Sequence, residues 1–471
     1  MVIKKKNSSK KNTLDQKTST KEKTTNNKRS ESFRNDLVVN EPEVEYQVGS
    51  NRTIDESWDF RKANTKEYTH CFHAYPAMMI PQVARRIIEN FGKKANTLFD
   101  PYCGTGTSLV EANLFGINAI GTDINPLARL IATVKTSKVD IQALDFSLHD
   151  FNNYIFSINF CIENIKSVII PQVQNIDFWF SKSNQQKLGI LLGYIESIND
   201  ISIKNFFKVA FSETVRETSF VKSGEFKLVR GKNIKDKEDI DVFGLMTSKL
   251  SRNKQGLLDF MKSCKNGVYA TVYNFNTVNN IPDNIIKPNS IDIIVTSPPY
   301  GDSRTTVAYG QYSRLSNEWL GYKEANQIDK ILMGGERRKH SHPSTSPIIS
   351  IFKSEILNDV ITTIQKQNEE RARDVISFYE DYEKSINKVS NTLRKGGFAC
   401  YVVGNRTVKG VNIPTDEITA ELFKANGFTH IETIVRNIPN KRMPLKNSPS
   451  NIIGDTAPTM KNEYIVICKK N

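Results

Sequence analysis

Residues 96–128 read NTLFDPYCGTGTSLVEANLFGINAIGTDINPLA, and this stretch decides the fold. Thr97–Phe99 form a short apolar run that predicts a strand, and Thr107–Phe115 form a helical run that ends at a glycine. Asn118–Thr122 predict a second strand. A strand, a helix and a strand in this order indicate a β-α-β unit, and therefore a parallel sheet.

A tight turn, Asp-Pro-Tyr-Cys-Gly-Thr-Gly, connects the first strand to the helix. Gly104 and Gly106 allow the backbone to adopt turn conformations and to approach a ligand closely. The helix that follows presents free N–H groups at its first turn. Asp123 ends the second strand, where a carboxylate can accept hydrogen bonds from both hydroxyls of a ribose. The pattern predicts a nucleotide-type cofactor site.

The charge of this turn separates the candidate cofactors. A dinucleotide site requires G-x-G-x-x-G, but here Gly-x-Gly is followed by Thr-Ser-Leu. Asp100 would repel a pyrophosphate and attract a cation. S-adenosylmethionine carries an ammonium and a sulfonium group and no phosphate, so the turn favours it over NAD. A P-loop is excluded because the turn contains no Gly-Lys-Ser or Gly-Lys-Thr.

A second motif, IIVTSPPYGD at Ile293–Asp302, joins an apolar strand to Ser-Pro-Pro-Tyr. Pro298 and Pro299 lack backbone donors and stiffen the chain. The result is a rigid rim that carries the hydroxyl of Ser297 and the aromatic ring of Tyr300. Such a rim can hold a flat ligand.

Together the two motifs resemble those of the amino-group DNA methyltransferases, and among them the cytosine-N4 type. FDPYCGTGT is similar to the cofactor motif of that family, and TSPPYG is similar to its catalytic tetrapeptide, with Ser in the first place as is usual for cytosine N4. HAYPAMMIP resembles the segment that caps the methionine end of the cofactor. The resemblance implies an α/β, Rossmann-like methyltransferase fold with a mixed seven-stranded sheet and helices on both faces.

The resemblance also implies which residues hold the cofactor, S-adenosyl-L-methionine. They are Tyr75, Pro76, Asp100, Pro101, Tyr102, Gly104, Gly106, Thr107, Asp123, Ile124 and Asn276. Asn276 departs from the family pattern, because many relatives carry an acid there that contacts the adenine ring. The catalytic residues would be Ser297, Pro298, Pro299 and Tyr300, and no metal site is expected.

The implied reaction is methylation of an exocyclic amine, which is a weak nucleophile because its lone pair is delocalised into the ring. The Ser297 hydroxyl and the Pro298 carbonyl can accept hydrogen bonds from the amine and favour a tetrahedral nitrogen. Tyr300 can stack on the base, which must first be flipped out of duplex DNA. Methylation at cytosine C5 is excluded because no Pro-Cys pair supplies a thiolate.

Three alternatives remain open. The same fold serves adenine-N6 DNA methyltransferases. Guanine-N2 tRNA methyltransferases share the Asp-Pro-x-Cys-Gly-Thr-Gly turn, although they usually carry Asp or Asn before Pro-Pro-Tyr and an RNA-binding N-terminal domain. A catalytically inactive binding module is the third, and the intact turn, Asp123 and Ser297 argue against it.

The order of these features divides the chain. Residues 1–45 are predicted to be a disordered basic tail, because they are rich in Lys, Ser, Thr and Asn. Residues 46–140 hold the cap and the cofactor-binding half, 141–265 hold an inserted, mostly helical and basic subdomain that could recognise the target, and 266–471 hold the catalytic half. The polar segment 301–375 is predicted to form loops that contact DNA.

The net charge of +14 fits the double-stranded DNA partner that the resemblance implies. Basic residues on polar segments are the candidate phosphate contacts. They are Lys222, Lys227, Arg230, Lys232, Arg304, Arg314, Arg337 and Arg338. A cognate restriction endonuclease is a candidate second partner.

The chain shows no stretch of about twenty apolar residues, as a membrane helix requires, and no secretory signal. The six cysteines are scattered without a Cys-x-x-Cys pair, which fits free thiols in a reducing cytosol. We therefore expect a cytoplasmic protein that associates with the nucleoid through DNA.

Overall fold

The computed structural model of the chain describes residues 51–161, 163, 165–302, 305–323, 325–336, 352–438, 446–447, 457–458 and 460–471. The predicted basic tail, residues 1–45, lies outside the described residues. None of the helices in the described part of the chain is both long and apolar enough to cross a membrane.

A central sheet of eight strands organises the chain. Its order from edge to edge is β1 (Arg52–Ile54), β9 (Phe428–Asn437), β12 (Asn462–Lys470), β6 (Leu393–Val403), β5 (Ile291–Thr296), β2 (Thr97–Asp100), β3 (Asn118–Thr122) and β4 (Ala270–Tyr273). All neighbouring strands are parallel except β12, which is antiparallel to both β6 and β9. Two short hairpins, β7 (Arg406–Val408) with β8 (Val411–Ile413) and β10 (Lys446–Asn447) with β11 (Ala457–Pro458), lie outside this sheet.

Thirteen α-helices connect these strands in the described residues. They are α1 (Pro81–Phe91), α2 (Thr107–Phe115), α3 (Pro126–Thr136), α4 (Ile141–Phe160), α5 (Ile176–Trp179), α6 (Lys182–Ser197), α7 (Ile201–Thr218), α8 (Val242–Ser263), α9 (Tyr309–Trp319), α10 (Ile328–Ile331), α11 (Glu355–Gln367), α12 (Glu369–Thr392) and α13 (Thr415–Lys424).

The central strands of the sheet are buried on both faces, as their continuous apolar sequences require. On β5, Ile294 packs in a cluster with α11, α12 and α13. Its neighbours Ile293 and Val295 point to the other face and pack with α1 and α2. The predicted α/β, Rossmann-like fold is confirmed, and β1 adds an eighth strand to the seven that were expected.

The helices α4–α8 occupy the predicted insertion. They share one apolar core, in which Phe151 of α4, Leu191 of α6, Phe207 of α7 and Leu250 of α8 are buried. Trp319 of α9 is fully buried in the same cluster. The insertion therefore packs directly beside the segment that follows the catalytic motif, and its boundaries as a domain stay a prediction.

The predicted loop region at residues 301–375 is partly wrong, because α9, α10, α11 and the start of α12 lie within it. The sequence pattern did not predict α9, because its Gly and Ser residues are weak helix formers. It is stabilised by tertiary packing of Tyr312 and Trp319, which are 7% and 0% exposed. The segment before α1 is ordered as well, since Trp58 is buried there.

The turn between β2 and α2 generates a stability prediction. Gly104 and Gly106 both have positive φ, at 49° and 80°. A Cβ on Gly106 would lie 2.9 Å from Cβ of Ala132 in α3, whereas one on Gly104 would meet nothing within 4 Å. We expect Gly104→Ala to lower the free energy of unfolding by about 1 kcal/mol, and Gly106→Ala to lower it by about 1–3 kcal/mol more. Urea denaturation measures both, and equal losses would contradict the packing role of Gly106.

Candidate active site

A single pocket lies at the carboxyl ends of the central parallel strands, where ligands bind in open α/β sheets. Asp100 ends β2, Asp123 follows β3, Asn276 follows β4 and Ser297 follows β5, and all four line the pocket. Residues far apart in the chain meet here because parallel strands place their carboxyl ends at the same edge of the sheet.

The structure brings most of the predicted site residues to this pocket. Its lining includes Tyr75, Pro76, Asp100, Pro101, Tyr102, Gly104, Thr107, Asp123, Ile124, Asn276, Ser297 and Pro299. Gly106, Pro298 and Tyr300 do not line it. Gly106 instead faces Ala132 of α3, so its place in the turn is required for helix packing.

The carboxylate of Asp100 is buried and hydrogen-bonded by the protein itself. Its Oδ1 accepts from the Tyr102 amide at 3.1 Å and from Thr296 Oγ1 at 2.6 Å. Its Oδ2 accepts from the Ser108 hydroxyl of α2. Burial raises the pKa of Asp100 to about 6, although the bonds from Ser108 and Thr296 favour the charged form. Asp100 thus carries charge at neutral pH and also joins the turn to β5.

Asp123 closes the turn from the other side. Its Oδ2 accepts from the Gly104 amide at 3.1 Å, and its Oδ1 accepts from the Asn125 amide at 2.7 Å. Burial raises the pKa of this carboxyl above its usual value. The Arg129 guanidinium donates to the backbone carbonyls of Asp123 and Ile124. The strand end is therefore held rigidly while the carboxylate still borders the pocket.

Asn276 stands where an acid was expected. Its Oδ1 accepts from the Val278 amide at 2.9 Å, which fixes the orientation of the side-chain amide. The Nδ2 group is therefore the side of Asn276 that remains to meet a ligand. The side chain offers a donor where an acid would offer an acceptor.

The predicted cap segment is fixed by three surrounding elements. Asn125 donates to the Tyr75 hydroxyl at 2.8 Å, and the ring of Tyr309 stacks on the Tyr75 ring at 6.1 Å. Ala74 donates to Glu213 of α7 at 3.2 Å and accepts from the Tyr312 hydroxyl of α9 at 2.6 Å. The inserted helices and α9 therefore hold the cap over the pocket.

The catalytic motif is packed against β6 and β12. The Ser297 and Tyr300 hydroxyls lie 3.3 Å apart, and Tyr300 donates to Glu463 Oε1 on β12 at 3.1 Å. A Cβ on Gly404, which follows β6, would overlap Sδ of Met460 and would lie 2.8 Å from Cδ2 of the Tyr300 ring. The positions of the Met460 side chain and of the Tyr300 ring therefore both depend on the absence of a side chain at residue 404.

Sequence reasoning missed several apolar residues of the pocket. Met78, Phe275, Tyr309 and Met333 line it together with the predicted residues. Phe275 directly precedes Asn276, so an aromatic residue beside a strand-end polar residue was an available signal. Met333 lies in the segment that was predicted to be a loop, and no local pattern pointed to it.

The predicted DNA contacts that lie in the described part of the chain are not all free cations. Lys222, Lys227 and Lys232 are exposed. The guanidinium of Arg230 lies over the rings of Phe178 and Phe220, 4.6 and 5.1 Å from their centroids. Arg314 pairs with Glu318 at 2.9 Å. Three further candidates lie outside the described residues, namely Arg304, Arg337 and Arg338.

Comparisons with known proteins identify the family. A family model described as DNA methylase, of the N6/N4 type, matches residues 1–133. Type II methyltransferase M.MvaI of Kocuria varians is 39% identical over 426 residues, covering 87% of this chain and 93% of that protein. Type II methyltransferase M.MjaII of Methanocaldococcus jannaschii is 30% identical over 203 residues, covering 42% and 35%. Type II methyltransferase M.BsoBI of Geobacillus stearothermophilus is 21% identical over 412 residues, covering 79% and 81%.

The chain therefore belongs to the site-specific Type II DNA methyltransferases of restriction-modification systems, of the N6/N4 type. Its methyl donor is S-adenosyl-L-methionine. The residues of the pocket fit this cofactor, because Asp100 and Asp123 are its charged residues and no Lys, Arg or His occurs among the described residues that line it. A pocket of this charge suits a cationic ligand without phosphate.

The packing of Gly404 generates a prediction about activity. In a Gly404→Ala variant the new methyl group overlaps both Met460 and the Tyr300 ring. We expect the resulting shift of the ring to lower the methylation rate by about 10–100-fold. The affinity for S-adenosylmethionine should not change, because Gly404 does not line the pocket. Single-turnover methylation and calorimetric titration of the cofactor measure the two quantities. An unchanged rate would contradict the requirement for this ring position.

Proposed function

We propose that the chain transfers a methyl group from S-adenosylmethionine to the N4 amine of a cytosine flipped out of duplex DNA. The observation that carries this proposal is the position of Ser297 and Pro299 on the wall of the same pocket as Asp100 and Asp123. The Ser-Pro-Pro-Tyr form of the motif supports cytosine N4 over adenine N6, which is the alternative within the same family.

The cofactor would be held at the ends of three strands. Asp123 is the proposed acceptor for the ribose hydroxyls, and Asn276 is the proposed donor to the adenine ring. Asp100 supplies negative charge, and Tyr75 and Pro76 cover the methionine end. The bound cofactor supplies a methyl group on a positively charged sulfur.

The chain's own contribution to catalysis is orientation and hydrogen bonding of the substrate amine. Ser297 Oγ and the carbonyl of Pro298 accept its N–H groups and favour a tetrahedral nitrogen. The diproline segment holds both acceptors in place before the reaction, so little ordering is required. Tyr300 stacks on the base, which must be flipped out of the double helix to reach the pocket.

An antiparallel bridge between Val221 and Arg230 closes residues 220–232 into a basic hairpin. The exposed lysines of this hairpin are the proposed phosphate contacts. Lys222, Lys227 and Lys232 are exposed, and Glu225 of the same hairpin accepts through its carbonyl from Arg216 of α7 at 2.6 Å. Arg216 also lies over the Tyr312 ring at 3.8 Å. These contacts place the hairpin beside α9, so residues 141–265 are the proposed target-recognition region. A cognate endonuclease and nucleoid association belong to the same proposal.

The decisive experiment identifies the methylated base. The chain and its Ser297→Ala variant are expressed in a host that lacks DNA methylation, and digested nucleosides are analysed by mass spectrometry. We expect N4-methylcytosine with the native chain and at least about a 100-fold loss with the variant, because an acceptor to the amine is removed. N6-methyladenine would replace the cytosine assignment with the adenine alternative. Methylated tRNA without methylated DNA would contradict a DNA substrate.

The raised pKa of Asp100 generates a second prediction. As the pH falls through about 6, Asp100 becomes protonated and loses its attraction for the cationic cofactor. We expect the affinity for S-adenosylmethionine to be constant at pH 7–8 and to weaken by at most about tenfold per pH unit below 6. Calorimetric titrations between pH 5 and 8 measure this dependence.

A matched variant tests the origin of that dependence. Thr296→Val removes a hydroxyl donor that stabilises the charged form of Asp100 and keeps the shape of the side chain. The pKa of Asp100 should rise further, so the affinity should begin to fall at a higher pH than in the native chain. An identical pH profile in the two proteins would assign the dependence to another group.

A further inference from the structure

A chain of hydrogen bonds leads from the catalytic serine to a carboxylate on β12. Ser297 Oγ lies 3.3 Å from Tyr300 Oη, and Tyr300 Oη lies 3.1 Å from Glu463 Oε1. Arg436 of β9 binds the other carboxylate oxygen, Oε2. The four side chains therefore form one continuous path from the pocket to the antiparallel part of the sheet.

The donor and the acceptor of each hydrogen bond in this path follow from the Glu463 carboxylate at its end. An ionised carboxylate can only accept, so the Tyr300 hydroxyl must donate to Glu463. The single proton of Tyr300 is then used, and the Ser297 hydroxyl must donate to Tyr300. The remaining lone pairs of Ser297 Oγ are left to accept from a ligand in the pocket.

Arg436 fixes the orientation of the Glu463 carboxylate. Its side chain is 3% exposed. It donates through Nε to the Trp58 carbonyl at 2.8 Å and through Nη2 to the Asp59 carbonyl at 3.3 Å. All three guanidinium nitrogens of Arg436 therefore have fixed acceptors. The side-chain atom of residue 463 that faces Arg436 must be a hydrogen-bond acceptor.

We propose that Glu463 orients the Ser297–Tyr300 hydrogen bonds so that Ser297 accepts from the substrate amine, and that Glu463 receives the proton which the amine loses on methylation. This inference rests on the proposed amine methylation. As the N–H bond breaks, the proton passes to Ser297 Oγ, the Ser297 proton passes to Tyr300 Oη, and the Tyr300 proton passes to Glu463 Oε1. Each hydroxyl gains and loses one proton, and no other reactant is needed.

The surroundings of the path suit a relay. Burial raises the pKa of Tyr300 far above its usual value, so this hydroxyl stays protonated at neutral pH and transmits a proton without storing one. The Glu463 side chain is 18% exposed, so water can remove the proton at that end. The next acid after the motif, Asp302, is held by Arg406 at 3.1 Å and by Thr305 Oγ1 at 2.6 Å.

The test substitutes Glu463→Gln. Arg436 requires an oxygen on its side, so the new amide must turn its NH2 group toward Tyr300 and reverse the direction of the path. We expect the single-turnover methylation rate to fall by about 10²–10⁴-fold. The dissociation constants for S-adenosylmethionine and DNA should stay within about twofold, because Glu463 does not line the pocket. An unchanged rate would overturn the proposal.

A double-variant cycle separates a relay from a merely structural role. Tyr300→Phe keeps the ring but removes the hydroxyl that connects Ser297 to Glu463. If Glu463 acts through that hydroxyl, Glu463→Gln slows a Tyr300→Phe enzyme no further, and the two substitutions are also non-additive in the thermal unfolding of the free protein. Multiplicative rate losses would show that Glu463 acts independently of Tyr300 and would overturn the relay.

The controls distinguish this inference from the proposed function. Glu432→Gln on β9 also removes a carboxylate from the antiparallel part of the sheet, and it should retain the native rate. If the native enzyme methylates DNA and the Glu463→Gln variant is fully active, the relay is refuted and the proposed function stands. Native enzyme that methylates no exocyclic amine would refute the proposed function, and the relay with it.

Discussion

The hydrogen bonds to the Asp100 carboxylate are the interaction on which the site depends. This carboxylate joins the turn after β2, the first turn of α2 and Thr296 at the end of β5. Because Thr296 directly precedes Ser297, one buried carboxylate positions both the turn that lines the pocket and the start of the Ser-Pro-Pro-Tyr motif. An acid in such a place is tolerated only when its oxygens are hydrogen-bonded. Its raised pKa shows that the three bonds offset burial only in part.

The antiparallel end of the sheet supports the other end of the motif. Glu463 of β12 and Arg436 of β9 hold the Tyr300 hydroxyl, while Gly404 leaves room for its ring. The Ser-Pro-Pro-Tyr segment is therefore fixed through Asp100 at Thr296, the residue before it, and through Glu463 at Tyr300, its last residue. Fixing both ends of a short proline segment leaves its carbonyl and hydroxyl groups few alternative positions, which is the preorganisation that electrostatic catalysis requires.

The inserted helices support the pocket and also form part of the surface. Ala74 of the cap is held between Glu213 of α7 and Tyr312 of α9. Arg216 of α7 stacks on the same Tyr312 ring and donates to the carbonyl of Glu225 in the basic hairpin. The cap and the basic hairpin are therefore connected through Tyr312 and Arg216.

Local sequence signals located the elements next to the glycine turn accurately. The predicted bounds of α2 and β3 match the structure, because the glycine that ends α2 and the aspartate that follows β3 are signals that act within a few residues. The strand β1 escaped prediction because its three residues are exposed and are ordered by pairing with β9. The helix α9 escaped because buried contacts of Tyr312 and Trp319 outweigh its poor helix propensity.

The sequence by itself determined the fold class, the strand-end acids and the Ser-Pro-Pro-Tyr rim. Each of these features is specified by residues that are adjacent in the chain. Only the tertiary structure decided that Asp100 bonds Thr296, that the oxygen of Asn276 is occupied, and that Tyr300 donates to Glu463. The physical reason is that the direction and partner of a buried hydrogen bond depend on which strands lie side by side. Strand order is set by packing across the whole sheet, and no local run of residues specifies it.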